Sequence, residues 1–302
     1  MSKVSDAIDT LYVRFLSEKT RHRSERVIVL IAIISFIVHL SLIFLVNMRI
    51  IDISSYSDLF TNPIAAIYTP FSFILTYEVY LLVYYLPKST TTYIGKQYEI
   101  ITLILIRRAF KDLANLKFTA NWFTVRDDLQ FTYDIGATLV LFFLIFVFYK
   151  LSERRIKTEQ KTPLSNDTLQ FIKVKKIMAT LLIPVLVALA IYSFGHWVYE
   201  NFISISLAVN TIKDINKIFF DEFFTVLILT DVLLLLISFL QTDKFSTVIR
   251  NSGFIISTIL LKLSFSIDGL LNTFLIVVAV LFGVAILAIH NRYSTIVVPE
   301  EE

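Results

Sequence analysis

The chain has 302 residues, of which 56% are hydrophobic, 14% aromatic and 18% charged, and its formal net charge is +3. A soluble domain of this length needs more polar surface than these residues provide, so a soluble globular protein is excluded. The sequence contains no Cys, which excludes disulfides and thiolate chemistry. Heavy use of Ile, Phe, Lys, Asn and Tyr is typical of an AT-rich bacterial genome, and we therefore expect a bacterial inner-membrane protein.

The first 26 residues are charged and lack both a short apolar core and a small-residue cleavage site, so we expect no cleaved signal peptide. Ala7, Ile8, Leu11 and Phe15 recur at helical spacing, and basic residues follow them. This pattern is typical of a helix that lies on the anionic inner leaflet of a membrane. An ordinary solvated leader is the alternative.

Eight segments predict membrane-spanning helices, because each approaches the ~20 apolar residues that cross a bilayer. They lie near residues 27–48, 63–87, 97–116, 133–151, 176–199, 222–241, 247–266 and 269–290. With the N-terminus inside, the cytoplasmic segments hold 19 Lys and Arg residues and the opposite side holds 6, as the positive-inside rule requires. The sequence therefore predicts an all-α, polytopic integral membrane protein with about eight transmembrane helices and both termini in the cytoplasm.

A basic connection divides the predicted spans into two halves of four helices each. The expected order is a basic N-terminal segment, a first half, a linker, a second half and a tail, at residues 1–26, 27–151, 152–175, 176–290 and 291–302. The stretch IITLILIRRAF (100–110) aligns with IISTILLKLSF (255–265). This alignment indicates two parallel four-helix repeats, with chance similarity of apolar sequence as the alternative.

Charged residues inside the apolar segments carry the main functional prediction. Glu78 lies nine residues before Pro87, about 13 Å into a ~30 Å core, and Arg107 lies about 15 Å along the next span. In the repeat alignment Glu78 corresponds to Asp231 and Arg107 to Lys262. Because a lone charge at the bilayer centre costs about 2.5–3.5 kcal/mol, these residues predict two intramembrane ion pairs, Glu78–Arg107 and Asp231–Lys262.

Two alternatives stay open for these pairs. Arg108 is turned about 100° from Arg107 on a helix, so it either snorkels, pairs elsewhere or is itself the partner of Glu78. The pairs either line an ion or proton path or only set the register of neighbouring helices.

Four further polar residues are accessory candidates for the same path: His39, Glu99, Asp134 and His196. Neither His39 nor His196 has a metal-binding partner at helical spacing, so we predict no metal and no cofactor. Asp134 closes the outer segment 117–134, whose aromatic residues predict an interfacial hairpin or a short surface helix. A cation-attracting vestibule is the alternative for this segment.

The sequence carries no TVGYG-type filter, Walker A, GxSxG or Gly-rich nucleotide loop, so catalysis is not predicted. It also offers no basic aromatic surface for nucleic acid. We expect a channel-like or transporter-like protein, embedded in the lipid bilayer, that moves or gates a small ion or protons. The alternative is a non-conducting membrane scaffold or sensor subunit, and a homo-oligomer is compatible with either function.

Overall fold

The structure is a computed structural model that describes residues 2–50, 63–113, 116, 126–159, 166–198, 215–240, 245–267 and 269–296. Within these ranges 93% of the residues are helical and none lies in a strand. The helices are α1 (Ser2–Leu16), α2 (Glu18–Asn47), α3 (Tyr68–Tyr85), α4 (Thr90–Leu113), α5 (Arg126–Glu159), α6 (Asn166–Val198), α7 (Ile215–Phe239), α8 (Phe245–Ser264) and α9 (Leu270–Ile296). A short 3-10 helix, Pro63–Ile67, precedes α3.

Within the described ranges, five helical stretches are long and apolar enough to cross a membrane, judged by length and composition. They are Asp9–Asn47, Asp128–Glu153, Leu169–Tyr192, Glu222–Phe239 and Leu270–Tyr293. The predicted all-α class is confirmed, and these helices are consistent with a membrane protein. The count of eight spans stays a prediction, because charged, tyrosine and small polar residues lower the hydropathy of α3, α4 and α8.

The helices on either side of the predicted linker are longer than the sequence suggested. The helix α5 continues to Glu159 and α6 begins at Asn166, so both extend into the predicted linker, 152–175. The charged stretch SERRIKTE contains mostly good helix formers, which explains why the helix does not end where the apolar residues end.

The chain forms two compact units. Unit 1 comprises residues 1–84, 107–131 and 179–224, and unit 2 comprises residues 85–106, 132–178 and 225–302. Each unit combines segments from before and after the predicted linker. The arrangement as two parallel four-helix repeats stays a prediction.

In unit 1, α1 and α2 are joined by a capped turn. The Ser17 hydroxyl accepts a hydrogen bond from the Thr20 backbone N–H at 3.2 Å, which satisfies one free donor at the start of α2. The helix ends where Arg49 adopts a left-handed backbone with φ 56°. The Tyr80 hydroxyl of α3 donates to the Phe15 carbonyl at 2.9 Å and so holds the end of α1.

The surface of α1 is partly apolar. Leu11, Val13 and Phe15 are exposed, whereas Leu16 is buried. Exposed apolar side chains on a terminal helix suit contact with lipid. Residence on the inner leaflet stays a prediction.

The core of unit 2 is built on three fully buried aromatic side chains. Tyr98 of α4 meets Phe148 of α5 edge to face, with ring centroids 5.2 Å apart. Phe148 also contacts Phe254 of α8 at 5.8 Å. The three rings therefore fix α4, α5 and α8 around a common centre.

Small residues bring α4, α8 and α9 into close contact beside this centre. The Tyr98 hydroxyl lies 2.7 Å from Ser257 Oγ, and the Ser257 hydroxyl donates to the Ala279 carbonyl at 2.6 Å. A Cβ atom at Gly283 would overlap the Tyr98 hydroxyl and would lie 3.0 Å from Ser257 Oγ. Only glycine fits at this position, as is common where membrane helices pack closely.

We expect Gly283→Ala to lower the free energy of unfolding by about 1–3 kcal/mol, because the added methyl forces Tyr98 and α9 apart. Thermal unfolding of the purified protein in detergent measures the change. The matched control is Gly136→Ala on α5, where a Cβ meets nothing within 4 Å. The control variant should be unchanged or slightly more stable, since alanine favours a helix over glycine. Equal losses in both variants would contradict this account of the packing.

Candidate functional site

The centre of the candidate site is a buried ion pair between neighbouring helices of unit 2. Asp231 of α7 is completely buried, and Lys262 of α8 is 4% exposed. The Lys262 Nζ atom lies 2.5 Å from Asp231 Oδ2. The sequence predicted that these two residues meet, and the structure places them in direct contact.

Three further polar groups surround the Asp231 carboxylate. The Tyr93 hydroxyl donates to Oδ1 at 2.9 Å, and the Gln97 side-chain amide donates to Oδ2 at 3.5 Å. The Thr258 hydroxyl lies 3.4 Å from Oδ2. Tyr93 and Gln97 are four residues apart on α4, as Thr258 and Lys262 are on α8, so each pair shares one helix face. Polar groups from two helices thus replace the water that a carboxylate loses on burial.

A small cavity adjoins this carboxylate. It has a volume of about 20 Å³, and its polar lining includes Asp231, Lys175, Thr90, Tyr93, Ser238 and Asn251. This volume is close to that of a single water molecule. Asp231 and Lys175 therefore both line a space of about one water volume.

Lys175 of α6 is buried although it carries a charge. Only 4% of the residue is exposed, and its Nζ donates to the Lys88 carbonyl at 3.1 Å and to Thr90 Oγ1 at 3.3 Å. It also lies 4.7 Å above the ring of Phe171. Its ammonium group is close enough to Asp231 for their charges to attract each other. Lys175 is thus a second cation of the Asp231 site.

A third buried cation lies next to the cavity and is held by neutral acceptors. Arg250 donates through Nε and Nη2 to Asn251 Oδ1, at 3.2 and 3.0 Å. Its Nη1 lies 3.5 Å from Nε2 of His290, whose Nδ1 lies 3.0 Å from the Ser246 carbonyl. Because Asn251 lines the cavity, Arg250 adds positive charge on that side.

The other predicted pair, Glu78–Arg107, lies in unit 1 and not in unit 2. Both residues belong to unit 1; Glu78 of α3 is 6% exposed, and Arg107 of α4 is half-buried. The positive charge of Arg107 is close enough to attract the Glu78 carboxylate. Arg107 and the half-buried Arg108 both have additional interactions. The equivalence of this pair with Asp231–Lys262 stays a prediction.

Two of the accessory candidates, His39 and Glu99, have polar partners of their own. His39 is buried in unit 1 with its Nδ1 2.5 Å from Thr69 Oγ1. The Glu99 carboxylate in unit 2 binds Lys96 Nζ at 2.6 Å and accepts from the Tyr149 hydroxyl at 2.5 Å.

The side chain of His196 lies outside the described residues. In the part of the chain that the structure describes, no group of three or more acidic or histidine side chains could hold a metal ion.

Asp134 lies within the helix α5, whereas residues 117–125 of its predicted segment lie outside the described residues. The helix α5 begins at Arg126, so residues 126–134 form its first turns and not a separate surface element. Asp134 is completely buried and accepts a hydrogen bond from the Thr273 hydroxyl at 2.6 Å. The buried position also removes it from any exposed vestibule. The aromatic residues of the segment suggested an interface, and two of them, Phe131 and Tyr133, lie within the helix α5.

Sequence reasoning missed most of the residues around Asp231. Lys175 was counted only among the basic residues that orient the chain, and Tyr93 fell in a predicted loop. The i, i+4 spacing of polar residues at Tyr93 and Gln97, and at Thr258 and Lys262, was the signal that could have found them. Which helix face meets Asp231 depends on tertiary packing.

Replacing Lys262 with Met should lower the free energy of unfolding by about 3–5 kcal/mol, because it leaves the Asp231 carboxylate without its contacting cation. The double variant Asp231→Asn/Lys262→Met should regain part of that loss, since the two contacting charges are removed together, while Lys175 keeps its bonds to the Lys88 carbonyl and Thr90. Denaturant unfolding in detergent measures both.

The matched control for this experiment is Lys96→Met, which removes a partly exposed ion pair with Glu99. Its cost should be about 0–1 kcal/mol. A loss for Lys262→Met no larger than that of the control would show that the Asp231 carboxylate does not need its cation.

Comparisons with protein-family models, with curated proteins and with solved structures find no match to this chain. Its function is therefore inferred from the geometry of the Asp231 site.

Proposed function

We propose that the protein moves protons or a small ion across the membrane, along a path through unit 2 that contains Asp231 and Lys262. One observation carries the proposal: a completely buried carboxylate contacts an ammonium group and also lines a cavity of one water volume. Charges inside membrane helices are costly and typically mark ion or proton pathways.

Stability alone does not explain such a site. A buried ion pair is often no more stable than well-packed apolar side chains of similar volume. The Asp231 site nevertheless has Lys262 in contact and Lys175 nearby, and it leaves a water-sized space unfilled. These features suit a site whose charge changes as an ion or proton passes.

Glu78 and Arg107 take the role of a gating pair in this proposal. Their attraction lies within unit 1, and Glu78 is nearly fully buried. Breaking and re-forming charged contacts is a common way for membrane helices to switch between two arrangements. Arg108, half-buried beside Arg107, is the alternative partner in such a switch.

A non-conducting scaffold or sensor subunit is the second candidate, and a specific observation favours it. The Asp231 carboxylate is surrounded by polar groups of α4 and α8, namely Lys262, Tyr93, Gln97 and Thr258. Such contacts fix the register of neighbouring helices without any conduction. The two functions differ in whether the purified protein supports ion flux.

Flux measurements on proteoliposomes test the proposal. The wild-type protein should conduct above empty liposomes, and Asp231→Asn should reduce the flux by at least about tenfold, since the path loses its acid. The matched control is Glu222→Gln, which removes an exposed acid from the same helix and should leave the flux unchanged.

The exchanged pair Asp231→Lys/Lys262→Asp separates loss of flux from loss of folding, because it keeps both charges within the pair. It should fold and recover part of the flux lost in the single variant. A folded wild-type protein that gives no flux would overturn the proposal in favour of the scaffold.

A further inference from the structure

We infer that the species moved is the proton, and that Lys175 exchanges protons with Asp231 through one water in the cavity that both residues line. This inference rests on the proposed function and adds to it the identity of the ion and a further residue. It depends on the volume of the cavity, the charges around it and the free hydrogen-bonding groups that line it.

The volume of the cavity limits what it can hold. A space of about 20 Å³ accommodates one water, which needs two to four polar partners. A hydrated metal ion or an organic solute is larger than this space. Only a species that travels by hopping through a water passes without enlarging the cavity.

The charges around the cavity exclude a bare metal cation. A hard cation needs about six oxygen ligands, whereas Lys262, Tyr93 and Gln97 already donate to the Asp231 oxygens. The ammonium groups of Lys262 and Lys175 act on the same carboxylate and would repel a second cation.

The hydrogen-bonding groups fit one bridging water. The Lys175 ammonium has three N–H groups, of which two are donated to the Lys88 carbonyl and Thr90 Oγ1. The third N–H group has no acceptor among the described residues, and it therefore remains for a water in the cavity. Such a water accepts from Lys175 and donates to the Asp231 carboxylate. The Asn251 amide offers a further donor, because its oxygen is already bound by Arg250.

The position of Lys175 connects the cavity with the aqueous side. It is bonded to the turn that begins α4, where Lys88 and Ser89 are exposed and Thr90 is half-buried. Tyr93, one turn further along the same helix, is buried against Asp231. Lys175 thus lies between solvent-exposed backbone and the buried acid, which is the place for a group that exchanges protons with water.

The transfer balances in protons and charge. Lys175 gives one proton to the bridging water as the water gives another to the Asp231 carboxylate, which leaves a neutral amine and a neutral carboxylic acid. Lys175 then takes a proton from the aqueous side. Lys262 then gives its own proton to a water on the opposite side and accepts the one held by Asp231, so that one proton enters at Lys175, one leaves at Lys262 and the starting charges are restored. The groups that face this exchange are Tyr93 of α4, Lys175 of α6, Lys262 of α8 and, through Asn251, Arg250.

Proteoliposomes with a trapped pH dye and a valinomycin-imposed potential test the inference. Wild-type proton flux should persist when Na⁺ and Cl⁻ are replaced by large organic ions. Lys175→Gln should reduce that flux by at least about tenfold, because glutamine keeps a donor but releases no proton. The control Lys173→Gln changes an exposed lysine of the same helix and should have no effect.

A second readout separates proton exchange from a structural role of Lys175. Infrared difference spectra between two pH values should show a carboxylic-acid band that Asp231→Asn removes and Lys175→Gln shifts. Flux that follows Na⁺ or Cl⁻ would overturn this inference while leaving the proposed function intact. Absence of flux for every ion overturns both, and an infrared band unaffected by Lys175→Gln overturns the role of Lys175.

Discussion

A carboxylate that is removed from water must be neutralised and hydrogen-bonded, and this constraint organises the centre of unit 2. Asp231 on α7 draws the Lys262 ammonium from α8 and the hydroxyl and amide of Tyr93 and Gln97 from α4. Three helices are therefore tied to one residue. Since desolvation of either charge alone costs several kcal/mol, the packing of these helices depends on keeping the two charges together.

The same unit holds more buried positive than negative charge around its cavity. Lys175 and Arg250 are bound by carbonyl, hydroxyl, amide and imidazole groups, while Asp231 is shared with Lys262. In a low-dielectric surrounding each of these charges is costly to bury unless polar groups bind it. The proposed proton path draws on this excess of positive charge, whereas a purely structural pair needs only equal and opposite charges.

Close packing supports the polar cluster. Tyr98, one residue after Gln97 on α4, reaches Ser257, one residue before Thr258 on α8, and Gly283 of α9 leaves room for this contact. The hydroxyl chain continues to the Ala279 carbonyl. Rigid contacts between α4, α8 and α9 thus hold the donors at the distances that the Asp231 carboxylate requires.

The amino-acid sequence by itself determined the helical class, the apolar segments and the residues Asp231 and Lys262, because bilayer length and the cost of buried charge act on local sequence. It also indicated Glu78 and Arg107. Only the tertiary structure decided that Asp134 is buried and that Tyr93, Gln97 and Lys175 converge on Asp231. Those contacts depend on which helix faces meet, and helix rotation is set by packing between segments far apart in the chain.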